Sequence, residues 1–193
     1  MTGDEFAKAK QPLWIALPFA AKVRLHLLKG EIKEAARVAG PEPLGFISIP
    51  YPRYSVLVGM ANVELALAQK DYASALSMVD DLLALVAPVT RVDVPEVMSR
   101  RADALLGLER VEEAHQVLTQ ACSLAKGLGS KHSLWSIFIR LADINAILGN
   151  DQEAESNRAD ARRIVEQIAE SLREIGLGDS FLNQPQVQKL TRE

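Results

Sequence analysis

Seven charged residues have the types and spacing to do chemistry: Arg24, Glu64, Glu96, Arg100, Asp103, Arg140 and Asp143. Glu96, Arg100 and Asp103 follow one another by four and three residues, and Arg140 and Asp143 by three. Those are helical neighbour spacings, so each set shares one face of a helix. Such a row can hold a peptide through charge-assisted hydrogen bonds. It can equally neutralise itself as solvated intrahelical pairs, each worth about 0.2–0.5 kcal/mol. Both readings are open on the sequence.

The other titratable residues point away from catalysis. His26, His115 and His132 are scattered along the chain, whereas a zinc site needs three or four clustered ligands. His26 lies in an apolar stretch and reads as a hydrogen-bonded, half-buried side chain; His132 reads as solvated. The single Cys122 cannot close an internal disulfide, and a reducing compartment follows. Its apolar setting suits a small core residue better than a nucleophile. Neither a Ser-His-Asp ordering nor a carboxylate pair stands out from the helix surface. The expectation is a protein without catalytic residues, cofactor or metal.

The elements that position these residues come from an internal repeat. Ala35, Ala75, Ala114 and Ala154 are spaced 40, 39 and 40 residues apart. Each follows a short polar break: Gly30-Glu31, Lys70-Asp71, Glu109-Arg110 and Gly149-Asn150. Twelve residues before each anchor stand Val23, Val63, Ala102 and Ala142; ten before, Leu25, Leu65, Ala104 and Ile144. Each unit reads as two antiparallel helices. Helix A is expected near 13–28, 53–68, 95–107 and 134–148, and helix B near 31–39, 72–86, 111–126 and 151–172. Gly30 and Gly149 stop a helix at positive φ. Asp71 is an N-cap, Asn150 with Glu153 a variant capping box, and Pro95 suits a first helical turn. Segments 40–52, 87–93 and 127–132 are expected loops between units. The apolar residues after Leu172, namely Ile175, Leu177, Phe181, Leu182, Val187 and Leu190, are expected to fold back as a cap.

Composition agrees. Ala and Leu occur 26 times each in 193 residues, and aromatics make up 5%. That favours helix over strand, and a hydrophobic share of 48% argues against a disordered chain. A net charge of -3 supplies no general field for DNA or RNA. The longest apolar runs are about half of a ~20-residue membrane span. Asp4 and Glu5 precede Lys8 and Lys10, a poor n-region for a signal peptide. A cytoplasmic chain, with no membrane and no direct nucleic-acid contact, is the expectation.

The stretches Leu27-Leu28-Lys29-Gly30-Glu31-Ile32-Lys33-Glu34-Ala35-Ala36-Arg37 and Leu65-Ala66-Leu67-Ala68-Gln69-Lys70-Asp71-Tyr72-Ala73-Ser74-Ala75-Leu76 resemble tetratricopeptide-type repeats. The longer period puts the extra residues in the inter-unit loops, which is similar to the repeat arms of MalT-type and other LuxR-family regulators. The tail around Ala161–Val165 and Ser180–Leu190 looks like the C-terminal end of such arms in large bacterial signalling ATPases and cyclases. Val23 and Val63 depart from the usual Ala or Gly, and Asp151 from the apolar residue seen as Ile32, Tyr72 and Val111. The sequence carries no helix-turn-helix, P-loop or cyclase signature.

The resemblance implies an all-α, right-handed α-solenoid of about four tetratricopeptide-like hairpins with a C-terminal helical cap, one repeat domain over 1–193. Its units span about 13–40, 53–87, 95–127 and 134–172, with the cap at 173–193. The A helices would line a concave groove through Leu17, Ala21, Arg24 and Leu28; Leu57, Ala61, Glu64 and Ala68; Glu96, Arg100, Asp103 and Gly107; and Ser136, Arg140, Asp143 and Ile147. A protein or peptide partner is expected in it, and the first helix could pair into a homodimer. The implied role is a non-catalytic binding scaffold in bacterial signalling or transcriptional regulation, the alternative being a small-molecule-sensing arm of a larger regulator. Trp14 and Trp135 begin the first and last A helices and are expected to pack at seams between units. Phe46, Ile47, Ile49, Tyr51 and Tyr54 bring apolar bulk to loop 40–52, which either packs on the first seam or lies across the groove.

Overall fold

The computed structural model describes residues 12–40, 52–88 and 90–192. All regular structure among them is helical. Two compact units divide the chain, Met1–Arg110 and Val111–Glu193.

The first unit contains α1 (Pro12–Leu28), α2 (Ile32–Ala39), α3 (Pro52–Ala68), α4 (Tyr72–Val86) and α5 (Val94–Gly107). Helix α1 packs on α2 and α3, and α3 packs in turn on α4 and α5. Thus α3 is the central element. Phe19, Ala20, Val23, Ala35, Val38, Ala39, Val58, Ala61 and Leu65 form one apolar cluster across α1, α2 and α3. A second gathers Ala66, Ala75 and Ala104 where α3, α4 and α5 meet. Alanine at all three places lets the helix axes approach closely.

The second unit contains α6 (Val111–Leu128), α7 (Lys131–Ile147), α8 (Asp151–Arg173), α9 (Gly178–Leu182) and α10 (Pro185–Arg192). Helix α7 packs on α6 and α8, and α9 and α10 lie on α8. Ala114, Leu118, Ile137, Ile144, Ala161 and Val165 are fully buried there.

The four anchor alanines are buried in both units, as are Val23, Val63, Ala102 and Ala142. The breaks before them share one backbone device. Gly30, Lys70, Glu109 and Gly149 all have positive φ, from 61° to 78°. The next N–H in each case donates to a carbonyl five residues back: Glu31 to His26, Asp71 to Ala66, Arg110 to Leu105 and Asn150 to Asn145, at 2.8–2.9 Å. This is the Schellman turn that ends a helix and satisfies its last carbonyls. Its recurrence at 40, 39 and 40 residues makes the sequence repeat a geometric one.

Three local expectations change. The connection at 127–132 shrinks to Gly129 and Ser130, because α6 runs to Leu128 and α7 starts at Lys131. Gly129 takes φ 65° and makes the same turn, with Ser130 N–H donating to Ala125. Asn150 makes no side-chain cap. Its amide instead donates to Oδ1 of Asn145 at 3.4 Å, and the buried Asn145 needs such a partner. Of the cap residues, Val187 and Leu190 are buried and Phe181 and Leu182 half-buried, but Ile175 and Leu177 stay exposed. They flank the Schellman turn that ends α8, where Leu177 N–H donates to Leu172. Residues 41–51 of the proline-rich loop, and the side chains of Trp14 and Tyr54, lie outside the described residues.

Candidate functional site: a charged row on the A helices

Within the first unit, four of the seven candidate residues meet in one row. Glu64 stands near the C-terminal end of central α3. Its Oε2 accepts from Nε of Arg24 on α1 at 2.8 Å, and its Oε1 accepts from Arg24 Nη2 at 3.4 Å. Oε1 also accepts from Nη2 of Arg100 on α5, at 3.2 Å. Arg100 Nη1 then donates to Asp103 Oδ2, one turn further along α5, at 3.1 Å. The order is Arg24, Glu64, Arg100, Asp103, alternating in sign across three helices.

The placement follows from the repeat. Arg24, Glu64 and Asp103 occupy the same register, 40 and 39 residues apart, and stacking puts equivalent positions of α1, α3 and α5 side by side. The small Ala61, fully buried one turn before Glu64, lets the helices flank α3 closely. It therefore lies beneath the expected groove surface rather than lining it.

The row is shielded from water. Side-chain exposure is 18% for Glu64, 24% for Arg100 and 25% for Asp103. Burial works against the Arg100 charge and is the largest influence on it. The carboxylates of Glu64, Asp103 and Glu96 together outweigh burial and hold the Arg100 pKa above its ordinary value. Glu96, half-buried one turn before Arg100, thus belongs to the same electrostatic group without heading the row. Within α5 the set is tied together by the Arg100–Asp103 bond and by the charge of Glu96 on Arg100. The bonds to Glu64 cross between helices.

The remaining two candidates belong to the second unit. Arg140 is half-buried and donates from Nη1 to the Ser136 carbonyl one turn earlier, at 3.1 Å. Asp143 is exposed.

His26 is half-buried and its Nδ1 lies 2.7 Å from Glu31 Oε2, the hydrogen-bonded role expected of it. His132 is exposed. Cys122 is buried, and burial pushes its thiol pKa up, outweighing the nearby Lys126. A thiol held protonated in this way is a poor nucleophile. Trp135 is buried and meets the Phe181 ring edge-on at 6.5 Å, joining α7 to α9. Among the described residues no three His, Cys, Asp or Glu side chains are grouped to hold a metal ion, and no helix is long and apolar enough to cross a membrane. Among the described residues, the inter-helix pair of Arg101 with Asp80, at 2.7 Å between α5 and α4, escaped the sequence reading. No repeat register marks it, because its partners sit on an A and a B helix.

Compared with models of known families and with curated proteins, the chain matches no family and no relative.

Proposed function

We propose that the chain is a tetratricopeptide-like α-solenoid acting as a non-catalytic binding scaffold, of the kind used in bacterial signalling or transcriptional regulation. The A helices of the first unit, α1, α3 and α5, present a docking face to a protein or peptide. The observation that carries this reading is the charged row: equivalent positions of three successive A helices come together on one surface. A surface built from equivalent positions of stacked repeats is how solenoids hold extended partners. The row offers an alternating, partly shielded set of guanidinium and carboxylate groups, which suits charge-assisted bonds to a peptide backbone or side chain. Exposed Leu17 and Ala21 supply apolar contact beside Arg24.

Selection of displayed peptides on the immobilised full chain tests this. A selected peptide should lose at least about tenfold in affinity, 1.4 kcal/mol, when Arg24 is replaced by Ala or Arg100 by Lys. It should also weaken as salt rises. Peptides that bind equally well to folded Arg24→Ala and Arg100→Lys proteins would defeat the proposal. A metabolite that raises the melting temperature in a ligand screen would favour the small-molecule-sensing arm instead.

A further inference from the structure

The first hairpin carries an apolar edge with a basic margin. On α1, Leu17, Leu25 and Leu28 are 54%, 50% and 81% exposed, and Ile32 at the start of α2 is 37% exposed. Lys22, Lys29 and Lys33, all exposed, border this edge. The anions beside them are already engaged, Glu31 by His26 and Glu34 by Arg37. Leu25 is the telling residue. It occupies the register of Leu65, Ala104 and Ile144, which are 7%, 0% and 0% exposed. Leu65 is buried against the hairpin before it, in the cluster with Phe19, Val23, Ala35 and Val38. The surface around Leu25 is therefore of the kind that another helical hairpin covers elsewhere in this chain.

The far end of the sequence has the opposite character. Ile175 and Leu177 are 67% and 51% exposed in the turn after α8. Glu166, Glu170, Glu174 and Asp179 are all exposed between the last turns of α8 and the start of α9, with one cation among the described residues of that stretch, Arg173, which pairs with Glu170. Four-residue spacing aligns Glu166 and Glu170 along one side of α8, and Glu174, its C-cap with helical backbone angles, continues that side.

We propose that the partner of the basic leucine edge is a second copy of this chain, bound head to tail through the acidic Ile175–Leu177 edge. The contact is heterologous, so it leaves one edge of each kind free and extends with concentration. Apolar burial of Leu25, Leu28, Ile175 and Leu177 drives it, and the opposed lysine and glutamate margins orient it.

Sedimentation of the full chain tests this across concentration and salt. Average mass should rise with protein concentration in low salt and fall as salt is added. A K22E/K29E/K33E protein and an E166K/E170K/E174K protein, changed only at exposed positions, should each stay monomeric to at least tenfold higher concentration. Mixing the two should restore association, because their margins are again opposite in charge. Leu28→Gln, which keeps every charge, should weaken self-association. Several outcomes would overturn the proposal: a monomer at all concentrations in low salt, or association that survives the glutamate reversal, which would mean that the leucine edge pairs with its own twin. A mixture that fails to associate would do the same, as would lysine-dependent binding to phosphatidylserine vesicles without self-association.

Discussion

Gly107 closes α5 against the ring of Tyr72, the first residue of α4. A Cβ built on Gly107 would stand 2.2 Å from Tyr72 Cδ1, 2.3 Å from Cγ and 2.4 Å from Cε1. Carbon atoms in contact prefer about 3.5–4.0 Å. The overlap exceeds 1 Å, and it involves Cγ, the ring atom nearest the backbone, so turning the ring cannot relieve it. In an open helix Gly→Ala gains up to about 1 kcal/mol. Here that gain meets an overpacking cost of about 1–3 kcal/mol. Gly107→Ala should therefore destabilise the protein by about 1 kcal/mol. Tyr72→Ala removes the ring and destabilises on its own account. In that background Gly107→Ala should stabilise, because only the helix gain remains. Urea unfolding followed by far-ultraviolet circular dichroism on the four proteins gives the coupling, expected near 2 kcal/mol. If Gly107→Ala stabilises the otherwise unchanged protein, or if its effect is the same with and without the ring, the argument from this contact is wrong.

Other consequences are more local. Lys70 and Glu109 hold positive φ without being glycine, at a cost of about 1 kcal/mol each. Lys70→Gly and Glu109→Gly should each stabilise by up to that amount in urea titrations, whereas Gly30→Ala should destabilise. Glu64→Ala strips the bridging acceptor from Arg24 and from the shielded Arg100. At its depth the loss should be about 2 kcal/mol, between the values for surface pairs and for buried ones, with Glu64→Gln costing less. Hydrogen bonds from the Ser74 side chain and from the Ser74 N–H, the latter to Asp71 Oδ1 at 3.2 Å, lower the Asp71 pKa. A carboxylate whose folded pKa is below its unfolded value stabilises the fold above about pH 4 and loses that contribution as pH falls through the folded value. Asp71→Ala should lower the melting temperature at pH 7, and the gap from wild type should narrow below pH 4; a constant gap from pH 7 to pH 2 would refute the carboxylate's role.

The helices are readable because each level of the sequence says the same thing. Tyr72–Val86 has its N-cap at Asp71, its buried anchor at Ala75 and an Ala-Leu interior, and its observed bounds are those expected. The four breaks are readable for the same reason, although only two carry the glycine that advertises positive φ. Lys70 and Glu109 adopt it because the helices on both sides fix the turn. Tertiary demand there overrides local preference, and only the 40-residue period reveals it. The 127–132 connection reads as a longer loop because Gly127, Gly129 and Ser130 crowd together. Only one glycine is needed to turn the chain, and Gly127 remains in α6.

The charged row shows where such reading stops. Spacings of three and four identify Arg100 with Asp103 as neighbours, since both distances are set within one helix. Whether Glu64 reaches two arginines on other helices depends on how closely α1 and α5 flank α3. That separation is set by small residues such as Ala61, Ala66 and Ala104, whose burial no local pattern announces. The repeat does place Arg24, Glu64 and Asp103 in one register, and stacking turns a shared register into proximity. A self-neutralising row and a docking row are therefore not exclusive alternatives. Pairing holds the guanidinium planes still in advance, so a partner that replaces one of their carboxylates meets donors already in position and loses less side-chain entropy on binding. It must, however, displace an existing bond to do so. Discrimination then depends on geometry rather than on net charge, since a ligand that merely carries charge gains little from groups that are already paired.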